Sequence, residues 1–331
     1  MIMITKIENS LRRLTLRQFP YTNIVGIGRS LLALGTLLTL LFNDISILVP
    51  MADGEILNPL LESPIPINRY NFYLLWGIEH IYIMKAVAVL ILLLVISGFY
   101  PQITCFLHWW VSVSFLLFSS AIDGGDQITA NLTLLLIPLC LTDPRRNHWL
   151  KAERKERIWS LFGIFAIWGI RLQVAAIYFH AAVGKLPVEE WTNGTALYYW
   201  FYHSTFGMPA WLEYIMYPLL SNFFFVTVAT FSVIILELIL MLGLTMNVRQ
   251  RLRLLPIALS FHFAIILFHG IFSFFFAIAA GLILYLYPVY KQLTFKTPKL
   301  RYAKSKSHQH QPVSDYYNPV YTGEPVRLDH Q

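Results

Sequence analysis

Long apolar stretches alternate with short polar ones along almost the whole chain. A membrane-crossing helix needs about 20 consecutive, mainly apolar residues. The apolar run near the C-terminal end is too long for one crossing, and we place a break at His269-Gly270, because glycine permits a turn there. The pattern predicts an all-α fold, a polytopic membrane helical bundle of about eight transmembrane helices, at residues 24–43, 79–99, 104–121, 128–142, 158–184, 219–246, 255–268 and 271–288.

The composition agrees with this pattern. Hydrophobic residues make up 56% of the 331 positions and charged residues only 13%, and the mean hydropathy is +0.57. A soluble fold could not bury so much apolar surface. The formal net charge of +7 does not indicate a nucleic-acid partner, because the basic residues lie between apolar spans instead of forming one solvated face.

The distribution of lysine and arginine predicts the orientation of the bundle. Positive residues near span ends mark the cytoplasmic side. If both termini are cytoplasmic, the inner segments hold 20 of the 25 basic residues. We therefore expect three parts: a cytoplasmic N-terminal segment (1–23), a transmembrane domain (24–288) and a disordered cytoplasmic tail (289–331).

Two long segments are predicted on the outer side. Residues 44–78 contain four prolines and four acidic residues, which favours an ordered loop over a helix. Residues 185–218 are rich in tyrosine and tryptophan, as is typical of segments at the membrane interface.

Cysteine and histidine spacing excludes several kinds of site. The two cysteines, Cys105 and Cys140, have no CxxC spacing, so neither a disulfide scaffold nor a thiol oxidoreductase is indicated. The first apolar run is span-length and lacks a small-residue cleavage site, so we interpret it as a retained helix. No metal site is predicted, because the histidines show no recognisable ligand spacing.

Charged residues inside the spans are candidates for function, because they are costly at membrane depth. Arg171 and Glu237 should lie at comparable depth. They either form a charge pair that lines a cavity or hold two helices together. Arg29 is expected to extend to the inner interface. Lys85 either extends outward or pairs with Glu79.

Three further residues lie near the outer half of the bundle. Lys185 follows the fifth span, just before Pro187, and either extends to the interface or acts as a general base. His262, in the seventh span, is either an interhelical hydrogen-bond partner or a catalytic candidate. Asn131 is expected to hydrogen-bond a neighbouring helix.

Two motifs carry a resemblance to a known family. The first is YFHAAVGKLPVEEWTNGTALYYW at 178–200, with Tyr178, Lys185, Trp191 and Gly194 in the matching positions, and the second is FHFAIILFHGIFSFFFA at 261–277. They resemble the transmembrane (HTTM) domain shared by vitamin K-dependent gamma-glutamyl carboxylases and a scattered set of bacterial proteins. Segments 26–43 and 123–145 look closest to one bacterial branch, the sporulation-delaying protein B family.

This resemblance implies a function. Members of that branch are proteins of the bacterial cytoplasmic membrane that are encoded with a secreted antimicrobial peptide. The implied role is maturation of a toxin-precursor peptide at the extracytoplasmic face, together with a small partner of the SdpA type from the same operon. The predicted site combines residues that match the family motifs, Tyr178, Lys185, Trp191 and His262, with the polar span residues Arg171, Glu237 and Asn131.

Two other functions stay open. The carboxylase base corresponds to Lys185, which suggests a membrane enzyme that uses this lysine with a quinone-like lipid. However, the carboxylase has a functional histidine roughly where Ile128 stands here. A peptide exporter or immunity protein is the other alternative, and it would need a continuous polar path across the bilayer.

Overall fold

The computed structural model describes residues 2–49, 51–52, 55–56 and 70–294. Part of the predicted outer loop and the predicted tail from residue 295 onward lie outside these residues. Two short strands, β1 (Met51–Ala52) and β2 (Glu55–Ile56), pair antiparallel. The helices are α1 (Ile2–Arg17), α2 (Asn23–Phe42), α3 (Ile45–Leu48), α4 (Ile81–Ser97), α5 (Pro101–Phe118), α6 (Gly124–Leu141), α7 (Ser160–Val183), α8 (Glu189–Thr192), α9 (Ala196–Phe201), α10 (Ala210–Leu220), α11 (Phe223–Met241), α12 (Val248–His269) and α13 (Phe272–Leu286), with 3-10 turns at Phe72–Leu74, Ile78–His80 and Leu242–Leu244.

The predicted all-helical membrane bundle is confirmed. Within the part of the chain that the structure describes, seven helices are long and apolar enough to cross a membrane, and α13 is a shorter apolar helix of 15 residues. The protein is therefore a multi-pass membrane protein. The predicted break at His269-Gly270 is also confirmed, because α12 ends at His269 and Gly270 adopts a left-handed conformation with φ +71°.

The seven long apolar helices and α13 run alternately between two ends of the bundle. The Lys185 end comprises residues 43–49, 70–77, 119–123, 184–222 and 270–271, and the Arg145 end comprises 18–22, 98–100, 142–159, 242–247 and 287–294. At the Arg145 end, Thr22 Oγ1 donates to the Val289 carbonyl at 2.6 Å, and Asn23 Nδ2 donates to the Leu293 carbonyl at 2.8 Å. The first and last long helices thus begin and finish together.

The core lies around α13. Nearly every residue from Ala277 to Leu286 is buried, against α2 on one side and α6 and α7 on the other. Gly28 of α2 allows close packing, since a Cβ there would lie 2.9 Å from Leu284 Cγ. In contrast, α11 packs mainly on α7 and α12 mainly on α13, and the two barely touch each other. A gap therefore remains between α11 and α12.

Capping residues shift three predicted boundaries. Asp123 caps α6 and forms a capping box with Asp126, so this helix begins before residue 128. Asn222 caps α11, which separates it from α10 within the predicted span 219–246. Asn247 and Gln250 form a capping box that starts α12 before residue 255. In each case a polar side chain satisfies backbone N–H groups that hydropathy does not record.

The prediction for Arg29 is wrong, and the structure decides between the two alternatives for Lys85. Arg29 does not reach the interface: it is 1% exposed and donates to His148 Nδ1 and to Thr104 Oγ1, both at 2.9 Å. Lys85 extends toward the Lys185 end, where it donates to the Asn43 carbonyl at 2.7 Å, and does not pair with Glu79. Both cations find acceptors within the bundle, which lowers the cost of their burial.

Candidate functional site

Lys185 lies just beyond the C-terminal end of α7, and its side chain turns back into the bundle. Its Nζ donates to the Ala181 carbonyl at 3.0 Å and to the two carboxylate oxygens of Glu237 at 2.7 and 2.9 Å. The side chains of Lys185 and Glu237 are only 19% and 8% exposed. The lysine is thus held in a largely buried ion pair and does not extend to the interface.

The ion pair joins α7 to α11, which pack along each other. The predicted pairing of Glu237 with Arg171 is wrong, because Glu237 contacts Lys185 instead. The two acidic residues nearest to Lys185 in sequence, Glu189 and Glu190, are exposed in the first turn of α8. Helix packing, and not proximity in sequence, therefore supplies the partner of Lys185.

Trp191 covers the ion pair. It lies on α8, is 9% exposed, and its ring centroid is 5.0 Å from Lys185 Nζ. This distance is within the range of a cation–π contact. The turn after α8 requires Gly194, whose φ is +81° and whose backbone lies against Thr227 of α11. Trp191 is thereby fixed over the lysine.

His262 and Tyr178 form a second polar contact in the same region. Both are buried, and Tyr178 Oη lies 3.4 Å from His262 Nε2. His262 Nδ1 lies 2.8 Å from the Ala258 carbonyl, which can only accept a hydrogen bond. Nδ1 therefore carries the proton, and Nε2 accepts from the tyrosine hydroxyl. The predicted interhelical contact of His262, between α12 and α7, is present.

These residues adjoin an apolar cavity of about 480 Å³ between α7, α9, α11, α12 and α13. Lys185, Glu237, Trp191 and His262 contribute its polar and aromatic wall. Most of the remaining lining is apolar, and it includes Trp200, Phe201, Leu236, Phe261, Phe268 and Phe274. Phe201 and Phe268 stack at 4.5 Å between ring centroids, which connects α9 to α12. A mostly apolar cavity with a few converging polar groups is typical of a binding site.

Comparison with known proteins identifies the family. No model of a known protein family matches the chain, and no solved structure matches it. The chain is 35% identical over 320 residues to the uncharacterized protein YitO of Bacillus subtilis, covering 94% of this chain and all of that protein. It is 34% identical over 303 residues to sporulation-delaying protein SdpB of Bacillus subtilis, covering 90% of this chain and 92% of that protein.

The chain belongs to the sporulation-delaying protein B family. In this SdpB-family protein, the structure brings together five of the seven predicted site residues, namely Lys185, Glu237, Trp191, Tyr178 and His262.

The other two predicted residues lie elsewhere in this SdpB-family protein. Arg171 lines a separate cavity toward the Arg145 end. Asn131 is exposed on α6, so its predicted hydrogen bond to a neighbouring helix is absent from the described part of the structure. A polar residue one turn into an apolar helix suggested an inward position, but the rotation of α6 turns it outward.

Sequence reasoning missed the aromatic lining supplied by α9 and α12. The aromatic run at 198–201 was interpreted as an interfacial belt, whereas Trp200 and Phe201 line the cavity. Phe261 and Phe268 are seven residues apart on α12, a spacing that places both on one face of a helix. That spacing was the available signal, although it is equally typical of ordinary helix packing.

Proposed function

We propose that this protein acts from the bacterial cytoplasmic membrane in producing a secreted antimicrobial peptide of the sporulation-delaying type. In this proposal, the cavity beside Lys185 binds an apolar part of the toxin precursor at the extracytoplasmic face. A small partner of the SdpA type, from the same operon, acts with it. The similarity to SdpB over 90% of the chain supports the biological setting.

The observation that carries the proposal is the composition of the cavity wall. Aromatic and aliphatic side chains would bind an apolar segment by removing its surface from water, at about 25 cal/mol per Å². Lys185 and Glu237 would orient that segment, because each offers a charged group to a polar backbone or side chain.

The position of the cavity suits a membrane-bound precursor. Since α11 and α12 barely contact each other, the cavity lies beside a gap between two helices whose outer faces are exposed. An apolar peptide in the bilayer could enter through this gap. The bias of lysine and arginine toward the opposite end supports an extracytoplasmic position for the Lys185 end.

A cavity-filling substitution tests the proposal. The gene would be deleted and restored as wild type, as Ala229→Trp or as Val228→Trp, and the secreted peptide measured by mass spectrometry. Ala229 lines the cavity, whereas Val228 on the same helix is 49% exposed and does not. We expect Ala229→Trp to reduce mature peptide at least about tenfold, the effect of losing roughly 1.4 kcal/mol of binding, and Val228→Trp to leave it near wild type. Full maturation in the deletion strain, or in Ala229→Trp at wild-type protein levels, would contradict the proposal.

A second function is favoured by one observation. Lys185, Glu237 and His262, three groups that can exchange protons, line one apolar cavity, and Tyr178 contacts His262. This arrangement suits a membrane enzyme in which Lys185 first passes its proton to Glu237 and then takes one from a substrate, while a quinone-like lipid occupies the cavity. Arginine can keep the ion pair but releases its proton far less readily than lysine. Lys185→Arg should therefore abolish an enzymatic step and largely preserve a binding role, with peptide yield as the readout.

The exporter alternative has less support. Between the Lys185 cavity and Arg171, α7 buries the apolar residues Val174 and Ala175, which are 0% and 4% exposed. In the described part of the chain, these residues interrupt the polar groups along α7, whereas an exporter needs a continuous polar route.

A further inference from the structure

A second cavity, of about 260 Å³, lies toward the Arg145 end between α7, the turn before α12 and the end of α13. The guanidinium groups of Arg171 and Arg251 belong to its wall. Its position is separate from the Lys185 cavity, with which it shares no lining residue. The inference below is therefore independent of the proposed function.

Arg171 is buried, and the residues that the structure describes give it no counter-charge. It is 8% exposed, and its Nε is buried with no hydrogen-bond partner among the described residues. It lies over the ring of Trp168, with 5.2 Å between the guanidinium carbon and the ring centroid. A buried cation needs a partner to offset the loss of hydration, and one cation–π contact supplies only a small part of that.

Arg251 adds a second positive charge to the same cavity. Its Nε is also buried without a partner in the described part of the chain, and Nη1 reaches only the Tyr285 carbonyl, at 3.5 Å. The Tyr285 hydroxyl donates instead to the carbonyl oxygens of Leu240 and Met241, at 2.9 and 3.0 Å. The cavity thus gathers guanidinium N–H donors that acceptors in the described part of the chain do not satisfy.

The cavity wall holds no aspartate or glutamate among the residues that the structure describes. Two cations in one cavity repel each other unless an anion lies between them. A water molecule's share of liquid volume is about 30 Å³, so 260 Å³ is enough for a phosphate-sized group with several waters. Apolar residues such as Ile164 and Ile167 line the same cavity and could contact the carbon part of a ligand.

We infer that this cavity binds the phosphate group of an anionic ligand between Arg171 and Arg251. Arginine suits phosphate, because its planar fork of N–H donors matches the phosphate oxygens. The phosphate comes either from the headgroup of an anionic phospholipid or from free inorganic phosphate. Basic pockets between transmembrane helices are known sites for anionic headgroups, and Trp168 is a residue type that favours the headgroup level.

The test uses the purified full-length protein in a neutral detergent. Its thermal unfolding midpoint would be measured with phosphatidylglycerol, with phosphatidylcholine and with inorganic phosphate, and bound lipid counted by native mass spectrometry. The variants are Arg171→Gln and Arg251→Gln. The matched control is Arg253→Gln, which removes an exposed arginine from the same helix, two residues from Arg251.

A phospholipid ligand predicts that phosphatidylglycerol raises the midpoint more than phosphatidylcholine does, with retained lipid in the mass spectrum. A free phosphate ligand predicts the same rise with inorganic phosphate alone. In either case, both cavity variants should bind at least about tenfold more weakly, the effect of losing one charge-assisted hydrogen bond, and Arg253→Gln should bind as wild type.

The inference is overturned if neither phosphatidylglycerol nor phosphate stabilises the wild type, or if the cavity variants respond as Arg253→Gln does. If Arg171→Gln does not fold, Arg251→Gln decides the matter. Arg251 is only partly buried, so its removal disturbs the bundle less.

Discussion

At the scale of single residues, two buried charges of the bundle are matched by a charge of opposite sign. Lys185, at the end of α7, forms an ion pair with Glu237 of α11. Arg145 does the same at the opposite end, where it pairs with Asp143 at 2.7 Å and both side chains are almost fully buried. Removing one member of such a pair leaves an uncompensated charge, whereas removing both does not.

The Lys185–Glu237 pair gives the first prediction. Lys185→Met should lower the free energy of unfolding by about 3 kcal/mol, because Glu237 is left buried and charged. The double variant Lys185→Met, Glu237→Met should recover most of that loss. Denaturant unfolding in mixed micelles measures both, with Lys151→Met as an exposed control. A double variant no more stable than the single one would show that the pair is not the source of the effect.

His148 gives a prediction on pH. It is fully buried in the segment between α6 and α7, and its Nδ1 accepts from Arg29. Burial, and then the nearby charges of Arg29 and Arg145, lower the pKa of His148 to about 3. In the unfolded chain, a histidine binds its proton near pH ~6.5. Between these two pH values the unfolded state binds more protons than the folded state. The contribution of His148 to the free energy of unfolding is therefore fully present above about pH 6.5 and is lost as the pH falls.

The free energy of unfolding should fall by at most about 1.4 kcal/mol per pH unit below about pH 6.5. Thermal unfolding of the purified protein at pH 7 and pH 5 measures it. His148→Asn keeps an acceptor for Arg29 but cannot take up a proton, so its midpoint should fall less over the same interval. An equal fall in both proteins would assign the pH dependence to other groups.

At the scale of secondary structure elements, the connection between α12 and α13 depends on one residue. Gly270 ends α12 in a left-handed conformation, and a Cβ added there would meet nothing within 4 Å. Any effect of a substitution at this position is therefore due to backbone strain and not to a steric clash.

Gly270→Ala should lower the free energy of unfolding by about 1 kcal/mol, because L-residues disfavour this conformation. Gly270→Asn should cost less, since asparagine visits the left-handed region more readily. Unfolding measurements on both variants in micelles check the order. If alanine and asparagine behave alike, strain at φ +71° does not control this turn.

Hydropathy was sufficient to predict the helices, but not their exact limits or their contacts. It located the seven long apolar helices and α13, because apolar length is a property of the sequence alone, and the glycine located the break at Gly270. It missed the capped starts of α6 and α12, which depend on side-chain hydrogen bonds from Asp123 and Asn247.

The candidate site could be predicted only in part, for the same reason. Lys185, Trp191 and Tyr178 were identified from a local motif on one stretch of chain. The partner of Lys185 was not, because Glu237 is 52 residues away and its approach depends on how α7 and α11 pack. Arg171 and Glu237 seemed a natural pair by depth, but depth alone does not fix the rotation of either helix.

At the scale of the whole molecule, the orientation of the bundle is the property on which the proposed function depends. Cysteine labelling measures it, because the native Cys105 and Cys140 are buried. An impermeant maleimide should label Glu190→Cys in intact cells, and Lys151→Cys only after permeabilisation. Both positions are exposed, at opposite ends of the bundle. The reverse labelling pattern would place the Lys185 cavity in the cytoplasm and exclude an exported substrate.

The packing of α2 against α13 has a consequence for biosynthesis. The first apolar helix to leave the ribosome, α2, has the last one, α13, as its main partner. About 230 residues separate the two in the chain. At roughly 5–20 residues per second, α2 waits about 10–50 s for that partner. During this interval its small-residue face, including Gly28, must be covered by lipid or by a membrane chaperone. A nascent chain stalled before α13 therefore presents an open bundle, which membrane proteases can distinguish from the finished protein.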